Sequence, residues 1–240
     1  MDKIIGLGGA GCNIAEGFCQ YPQYDVYKLD TSPTGGGIHY SLQKYGTPED
    51  YERNTPDLTA FFKEVDGDIL FIVGGGGKTS GAALKVLQQL KGCNINVLYI
   101  KPDTASLSNT AYLQYRLTFN VLQEYARCGL LNKIFLVDNK QLESIVGDVP
   151  LLQIRGKMND IVVNAIHYYN IFTHTDAVYE NSEQLSETSR IGTFGIYDMV
   201  GSTETPFFQL DSLRDKCYYY CINEDVINSD GKLLKTIKEQ

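Results

Sequence analysis

The sequence is short of the residues that mark several common functional classes. It has no tryptophan, three histidines (His39, His167 and His174), three methionines and seven prolines in 240 residues. Its six cysteines include no Cys-x-x-Cys pair, and no histidine stands near Cys217 and Cys221, the two most closely spaced. That spacing gives no support for a structural zinc site. A chain of this length can also build a core without disulfides. The cysteines therefore read as free, mostly buried thiols in a reducing compartment. No Gly-x-Ser-x-Gly motif is present to serve a hydrolase nucleophile. No apolar run nears the roughly 20 residues that span a bilayer. The N-terminal stretch MDKIIGLGG lacks signal-peptide anatomy, because its short apolar run leads straight into glycines. Basic residues are scarce too: 21 Lys and Arg stand against 29 Asp and Glu, a net charge of −8. Free nucleic acid and anionic membrane surfaces are poor partners for such a chain. The expectation is a soluble, cytoplasmic protein that meets any phosphate locally, with backbone amides, a metal or a few placed cations.

What is present alternates. Apolar runs at Lys3–Leu7, Asp25–Leu29, Asp68–Val73, Asn96–Ile100 and Lys133–Val137 read as buried strands. Helical signals fall between and after them: Asn13–Gln20, Asp57–Lys63, Gly81–Leu90, about Ser108–Arg127, and Asn159–Phe172. Thr47–Pro56, with two prolines, reads as loop, and Lys216–Ile222 (KCYYYCI) as the best late strand. The tyrosine runs Tyr168-Tyr169 and Tyr218-Tyr219-Tyr220 read as core packing or an interface. Strands alternating with helices predict a three-layer α/β fold, a mostly parallel sheet with helices on both faces.

Two glycine-rich loops follow strands. The first runs Gly6-Leu7-Gly8-Gly9-Ala10-Gly11-Cys12-Asn13. Glycines let backbone N–H groups approach phosphate oxygens, and a following helix N-terminus favours negative charge. Taken alone it fits any nucleotide binder or a tight strand-to-helix turn. Asp30, at the end of the second strand, keeps a nicotinamide-dependent oxidoreductase open, with its carboxylate on a ribose. The second loop is Gly74-Gly75-Gly76-Gly77-Lys78-Thr79-Ser80-Gly81. It is not a Walker A motif, since Ile72 stands where that motif needs its first glycine. Two such loops in one sheet can hold one polyphosphate from two sides. Lys78 would supply charge, and Thr79 or Ser80 a hydroxyl for phosphate or Mg²⁺.

In order and spacing these segments resemble the FtsZ/tubulin family over roughly residues 1 to 195. Gly6 to Asn13 matches the family form GxGGxGxN without a gap, and Gly75 to Gly81 resembles its GGGTGTG loop, with Lys78 for a Thr and Thr79 for a Gly. Tyr99-Ile100-Lys101-Pro102, Lys133–Leu142 and Gly156–Val162 resemble the later strand-Lys-Pro step, the strand ending in a short Asn/Asp turn, and the start of the central helix. The resemblance implies a Rossmann-like, cytoskeletal-type GTP-binding domain over 1–195. Gly8, Gly9, Gly11, Asn13, Gly75, Gly76, Gly77, Lys78, Thr79 and Ser80 would then bind GTP or GDP, with Mg²⁺ accompanying the nucleotide and Asn159 reading guanine. It also implies head-to-tail homo-oligomers and GTPase activity at a subunit interface.

The departures are specific. Arg155 stands where the family packs an aromatic on the base, and a guanidinium can stack there instead. Ser106 and Thr110 stand for the Glu and Arg that contact ribose. The loop after the central helix, Thr173–Leu185, lacks the family pattern NxDxxD. Asp176 and Glu180 have the spacing of a catalytic carboxylate pair, and equally read as solvated surface acids. Residues 196–240 offer a short C-terminal remnant where the family has a second domain. These departures leave a slow GTPase and a non-hydrolysing scaffold, an assembly subunit of a larger structure, as the two expectations.

Overall fold

The computed structural model describes residues 1–175, 188–198 and 201–238. Seven strands form one parallel sheet: β1 (Lys3–Leu7), β2 (Asp25–Asp30), β3 (Ile38–Ser41), β4 (Asp68–Gly74), β5 (Asn94–Lys101), β6 (Lys133–Asp138) and β7 (Ile191–Thr193). Their spatial order is β3-β2-β1-β4-β5-β6-β7, and each neighbouring pair is parallel. The central strands are apolar throughout because both faces are covered, the usual reading for a parallel sheet. Alternate residues divide between two cores. Ile5, Tyr27, Phe71, Val97 and Leu136 face one side, and Ile4, Val26, Leu70, Leu98 and Val137 the other.

The first core is closed by α2 (Pro48–Arg53), α3 (Ala83–Gln89) and α4 (Asn109–Arg127), through Tyr51, Val86 and Leu122. The second is closed by α1 (Gly8–Phe18), α5 (Asn139–Val146) and α6 (Leu151–Phe172), through Phe18, Leu142 and Val162. The result is the expected three-layer α/β fold. An antiparallel hairpin follows, β8 (Gly195–Asp198) with β9 (Thr203–Pro206). Phe207, just beyond it, is fully buried in the second core, and its carbonyl accepts from the Asp138 N–H. Two short helices, α7 (Glu224–Ser229) and α8 (Leu233–Lys238), end the described chain. Among the described residues no helix is long and apolar enough to cross a membrane.

Several element boundaries differ from expectation. Helix α1 starts at Gly8, five residues before the expected Asn13. Its glycines are poor helix formers, but they allow close helix-to-sheet packing: a Cβ on Gly11 would lie 2.3 Å from the Ile72 carbonyl oxygen. Helix α6 starts at Leu151 and not at Asn159. Leu151 and Leu152 are 82% and 96% exposed, so the first turns carry no apolar stripe to betray them. Thr47–Pro56 contains α2, whereas Asp57–Lys63 forms turns, in which the Asp57 carboxylate accepts from the Thr59 N–H at 2.9 Å. Lys216–Ile222 joins no ladder. It is tied to the hairpin by side chains, with Lys216 Nζ 2.7 Å from Glu204 and the Tyr218 hydroxyl donating to the same carboxylate.

Candidate functional site

From β1 the chain turns through α1 to β2 and β3 on one side, then crosses back to β4 on the other. In open α/β sheets, ligands bind outside the carboxyl ends of the strands at such a reversal. Leu7 pairs with Val73 across β1 and β4, so the two glycine loops leave neighbouring strand ends. They also touch. Gly8 has φ +69°, and a Cβ there would come within 2.2 Å of Thr79 Oγ1. A cleft of about 220 Å³ lies between the loops, bounded by Gly8, Gly9, Gly75, Gly76, Thr79 and Asn139, with Pro102 and Leu107 at its edge.

Glycine backbone makes up part of this cleft, beside Leu7, Ala10, Ile100, Pro102 and Leu107. The N-terminus of α1 opens at Gly8 with no acidic residue in its first turn, leaving its free N–H groups unopposed. A 3₁₀ turn from Lys78 to Ala82 starts in the second loop. The Gly75 N–H is engaged by the Ile100 carbonyl at 2.9 Å, so the later amides of that loop are the ones left for an anion. Beneath Gly75 lies Tyr99, whose hydroxyl donates to the Tyr115 carbonyl at 3.1 Å. Burial raises the Tyr99 phenol pKa far enough that it acts as a neutral prop. Among the described residues, no carboxylate and no cationic side chain lines the cleft. Nor do three His, Cys, Asp or Glu side chains gather anywhere among them to hold a metal.

The candidate residues divide by position. Gly8, Gly9, Gly75, Gly76, Gly77 and Thr79 line the cleft. Gly11 lies beneath it as packing. Lys78 is exposed outside the lining, and Ser80 is buried, with its hydroxyl donating to the Gly77 carbonyl at 2.6 Å. Arg155 is exposed and Asn159 half-buried on α6. Helices α1 and α6 run parallel here: Gly17 abuts Val163, and Tyr21 stacks on His167 at 3.8 Å. Asn13 is exposed and lines a different cleft, on the β2 side of α1. Asp176 and Glu180 lie outside the described residues.

Asn139 was not singled out from the sequence. It reaches the cleft as the first residue of α5, capped by Asp138, whose carboxylate accepts from the Lys140 N–H at 3.0 Å and from Lys101 Nζ at 2.6 Å. The signal was the Asp-Asn step after an apolar strand, a helix-start pattern.

A second cleft, of about 260 Å³, flanks α1 on the β2 side and is lined by Cys12, Asn13, Glu16, Asp30, Ser32 and Thr34. Cys12 donates to the Gly6 and Leu29 carbonyls, and burial with the nearby Asp30 charge pushes its thiol up to about 12. It is a packed thiol and not a nucleophile. Lys28 is fully buried under α1, its ammonium paired with Glu16 and donating to the Thr34 carbonyl at 3.0 Å. Desolvation lowers its pKa.

The fold has counterparts among solved structures. An empty FtsZ dimer from M. jannaschii superposes with a TM-score of 0.59 at 16% identity, covering 75% of this chain and 57% of that one. The chain has an FtsZ/tubulin-like fold. A GTPγS-bound CetZ2 protofilament from Haloferax volcanii gives 0.56 at 18% identity, over 69% of this chain and 57% of that one. A GTPγS-form TubZ protofilament from Bacillus thuringiensis serovar israelensis gives 0.55 at 17% identity, over 70% and 55%. The FtsZ/tubulin-like chain thus spans a little over half the length of these structures. No family model matches its sequence, and no curated protein matches it.

Proposed function

We propose that the chain binds a guanine nucleotide, with the phosphates in the cleft between the two glycine loops. The observation that carries this reading is the contact of the loops at the sheet's reversal point, where Gly8 abuts Thr79. Amides of both loops and the α1 N-terminus meet the phosphate charge. Mg²⁺ would accompany the nucleotide and offset phosphate charge, and Thr79, which lines the cleft, is the hydroxyl that would help hold it. Asn159, on α6, reads the guanine edge, and Asn139, which lines the cleft, supplies a further amide from α5. Adenine would leave these groups unpaired, typically about 1–3 kcal/mol for each buried one.

Among the described residues no carboxylate lines the cleft to orient a water, so in this reading hydrolysis calls for a second copy, head to tail, that brings an acid. Asp176 and Glu180 are the candidates. The scaffold reading, binding without turnover, shares the observation that no carboxylate among the described residues lines the cleft. Mass spectrometry of nucleotide retained after native purification, followed by competition binding, tests the proposal. GTP should displace a labelled guanine nucleotide far better than ATP, and Asn159→Ala should weaken GTP more than ATP. Equal affinity of the unaltered protein for both would refute the base assignment.

A further inference from the structure

Lys28 stands out, since a lysine is almost never fully buried unless it is paired, and nothing in the proposed phosphate cradle uses it. It projects from β2 beneath α1. Both groups that meet its ammonium, the Glu16 carboxylate and the Thr34 carbonyl, belong to walls of the cleft beside the first glycine loop. Glu16 has a second task, because its two oxygens accept from the Gly36 N–H at 3.1 and 3.2 Å. The segment between β2 and β3 is thus fastened to α1 at Thr34 and at Gly36 through one ion pair.

Its own sequence is adapted to that posture. Gly35 and Gly37 both have φ +83°, and a Cβ on Gly35 would meet the Glu16 carboxylate at 2.3 Å. The segment lies directly on α1 because it has no side chain there. Asp30, at its start, carries the wall up to the first loop: it is the nearest group to any Cβ on Gly9.

We propose that Glu16 and Lys28 are positioning residues for the nucleotide site: their ion pair latches residues 31–37 down as the wall beside the first glycine loop. The inference rests on the nucleotide reading for its consequence and on the latch geometry for its cause. With the latch closed the wall is pre-set against the ligand; with it open, ligand binding must close it, and apparent affinity falls by the fraction closed.

Hydrogen exchange of the free protein reads the latch, and GTP titration reads its effect. Glu16→Ala should speed exchange in 31–37 while β1, β4 and β5 stay protected, and should weaken GTP by about tenfold. Saturating GTP should slow exchange in 31–37 again, because a ligand that meets the wall favours its closed state; a purely structural lesion would not recover. Should Glu16→Ala fail to fold for having stranded a buried ammonium, the Glu16→Gln/Lys28→Met double variant removes the pair without leaving a charge, and the same two readouts apply. Unchanged exchange in 31–37 in a folded variant overturns the latch. Faster exchange with unchanged GTP affinity overturns the positioning role. No GTP binding by the unaltered protein overturns the nucleotide reading and the role of the wall in it, while the exchange difference still reports the latch on its own.

Discussion

Glycines in one loop do different work, and substitutions can separate it. Gly8 is held at φ +69° against Thr79, a conformation that costs an L-residue on the order of 1–2 kcal/mol. Gly9, one residue on, has no positive φ, and a Cβ there would make only an ordinary contact, 3.9 Å from Asp30 Oδ2. Gly8→Ala should therefore destabilise the fold. Gly9→Ala should leave stability unchanged or raise it by up to about 1 kcal/mol, since alanine is the better helix former. Its Cβ would nonetheless stand where a phosphate approaches, so GTP affinity should fall. Chemical denaturation beside titration calorimetry separates the two effects, and a Gly9→Ala protein with full affinity would remove the first loop from the cradle.

His167 sets a pH dependence. Its ring is buried, stacked on Tyr21, with Nδ1 3.0 Å from the Tyr24 hydroxyl, and burial lowers its pKa from 6.5. The neutral form is favoured in the folded state, so the unfolded chain takes up a proton first as pH falls. Stability should be full above about pH 6.5 and decline below it until the folded-state pKa is passed. Urea midpoints at pH 7.5 and 5.5 should differ less in His167→Gln than in the parent.

At the scale of elements, α2 links sequence reading to site. Thr47 accepts from the Asp50 N–H at 3.2 Å, Pro48 opens the helix, and Glu49 and Asp50 occupy its first turn. Those are helix-start residues, but six residues are too few for a hydrophobic period, and the prolines made the segment read as loop. Helix α2 seats the second loop: a Cβ on Gly81 would lie 2.0 Å from the Pro48 carbonyl oxygen. Thr47→Ala should cost about 1 kcal/mol, seen in thermal melts, and should weaken GTP modestly through the shifted seat. The central strands were legible because DILFIV and KIFLV are continuous apolar runs closed by turn residues. The glycine loops were legible because their chemistry lies in the backbone. Asn139 and the Glu16–Lys28 pair were not, since their meaning depends on where β2, α1 and α5 stand in the sheet. The four-residue edge strand β3 was missed for a different reason, having one neighbour and mostly exposed residues.

At the scale of the whole molecule, turnover should depend on encounter. If a second copy supplies the acid to a cleft lined by no carboxylate among the described residues, GTP hydrolysis per subunit should rise with protein concentration and vanish on dilution to monomer. Glu180→Ala should lower the rate without loss of nucleotide binding. Phosphate release across a hundredfold dilution series decides it: a constant rate per subunit would refute a shared site, and none at any concentration would favour the scaffold.

The sheet order also governs how the chain reaches this state. Strand β1 lies inside the sheet, and one of its two neighbours is the middle strand β4, with Lys3 opposite Ile69 and Leu7 opposite Val73. Until β4 has been synthesised, β1, β2 and β3 lack the strand that covers the apolar edge of β1, and the second glycine loop is missing. Such long-range parallel pairing must bear its loop-closure entropy before contacts reward it, so folding is slow and its early species are prone to aggregate. Nascent chains halted before β4 emerges should therefore bind chaperones and no nucleotide, whereas those extended past β5 complete both loops at once.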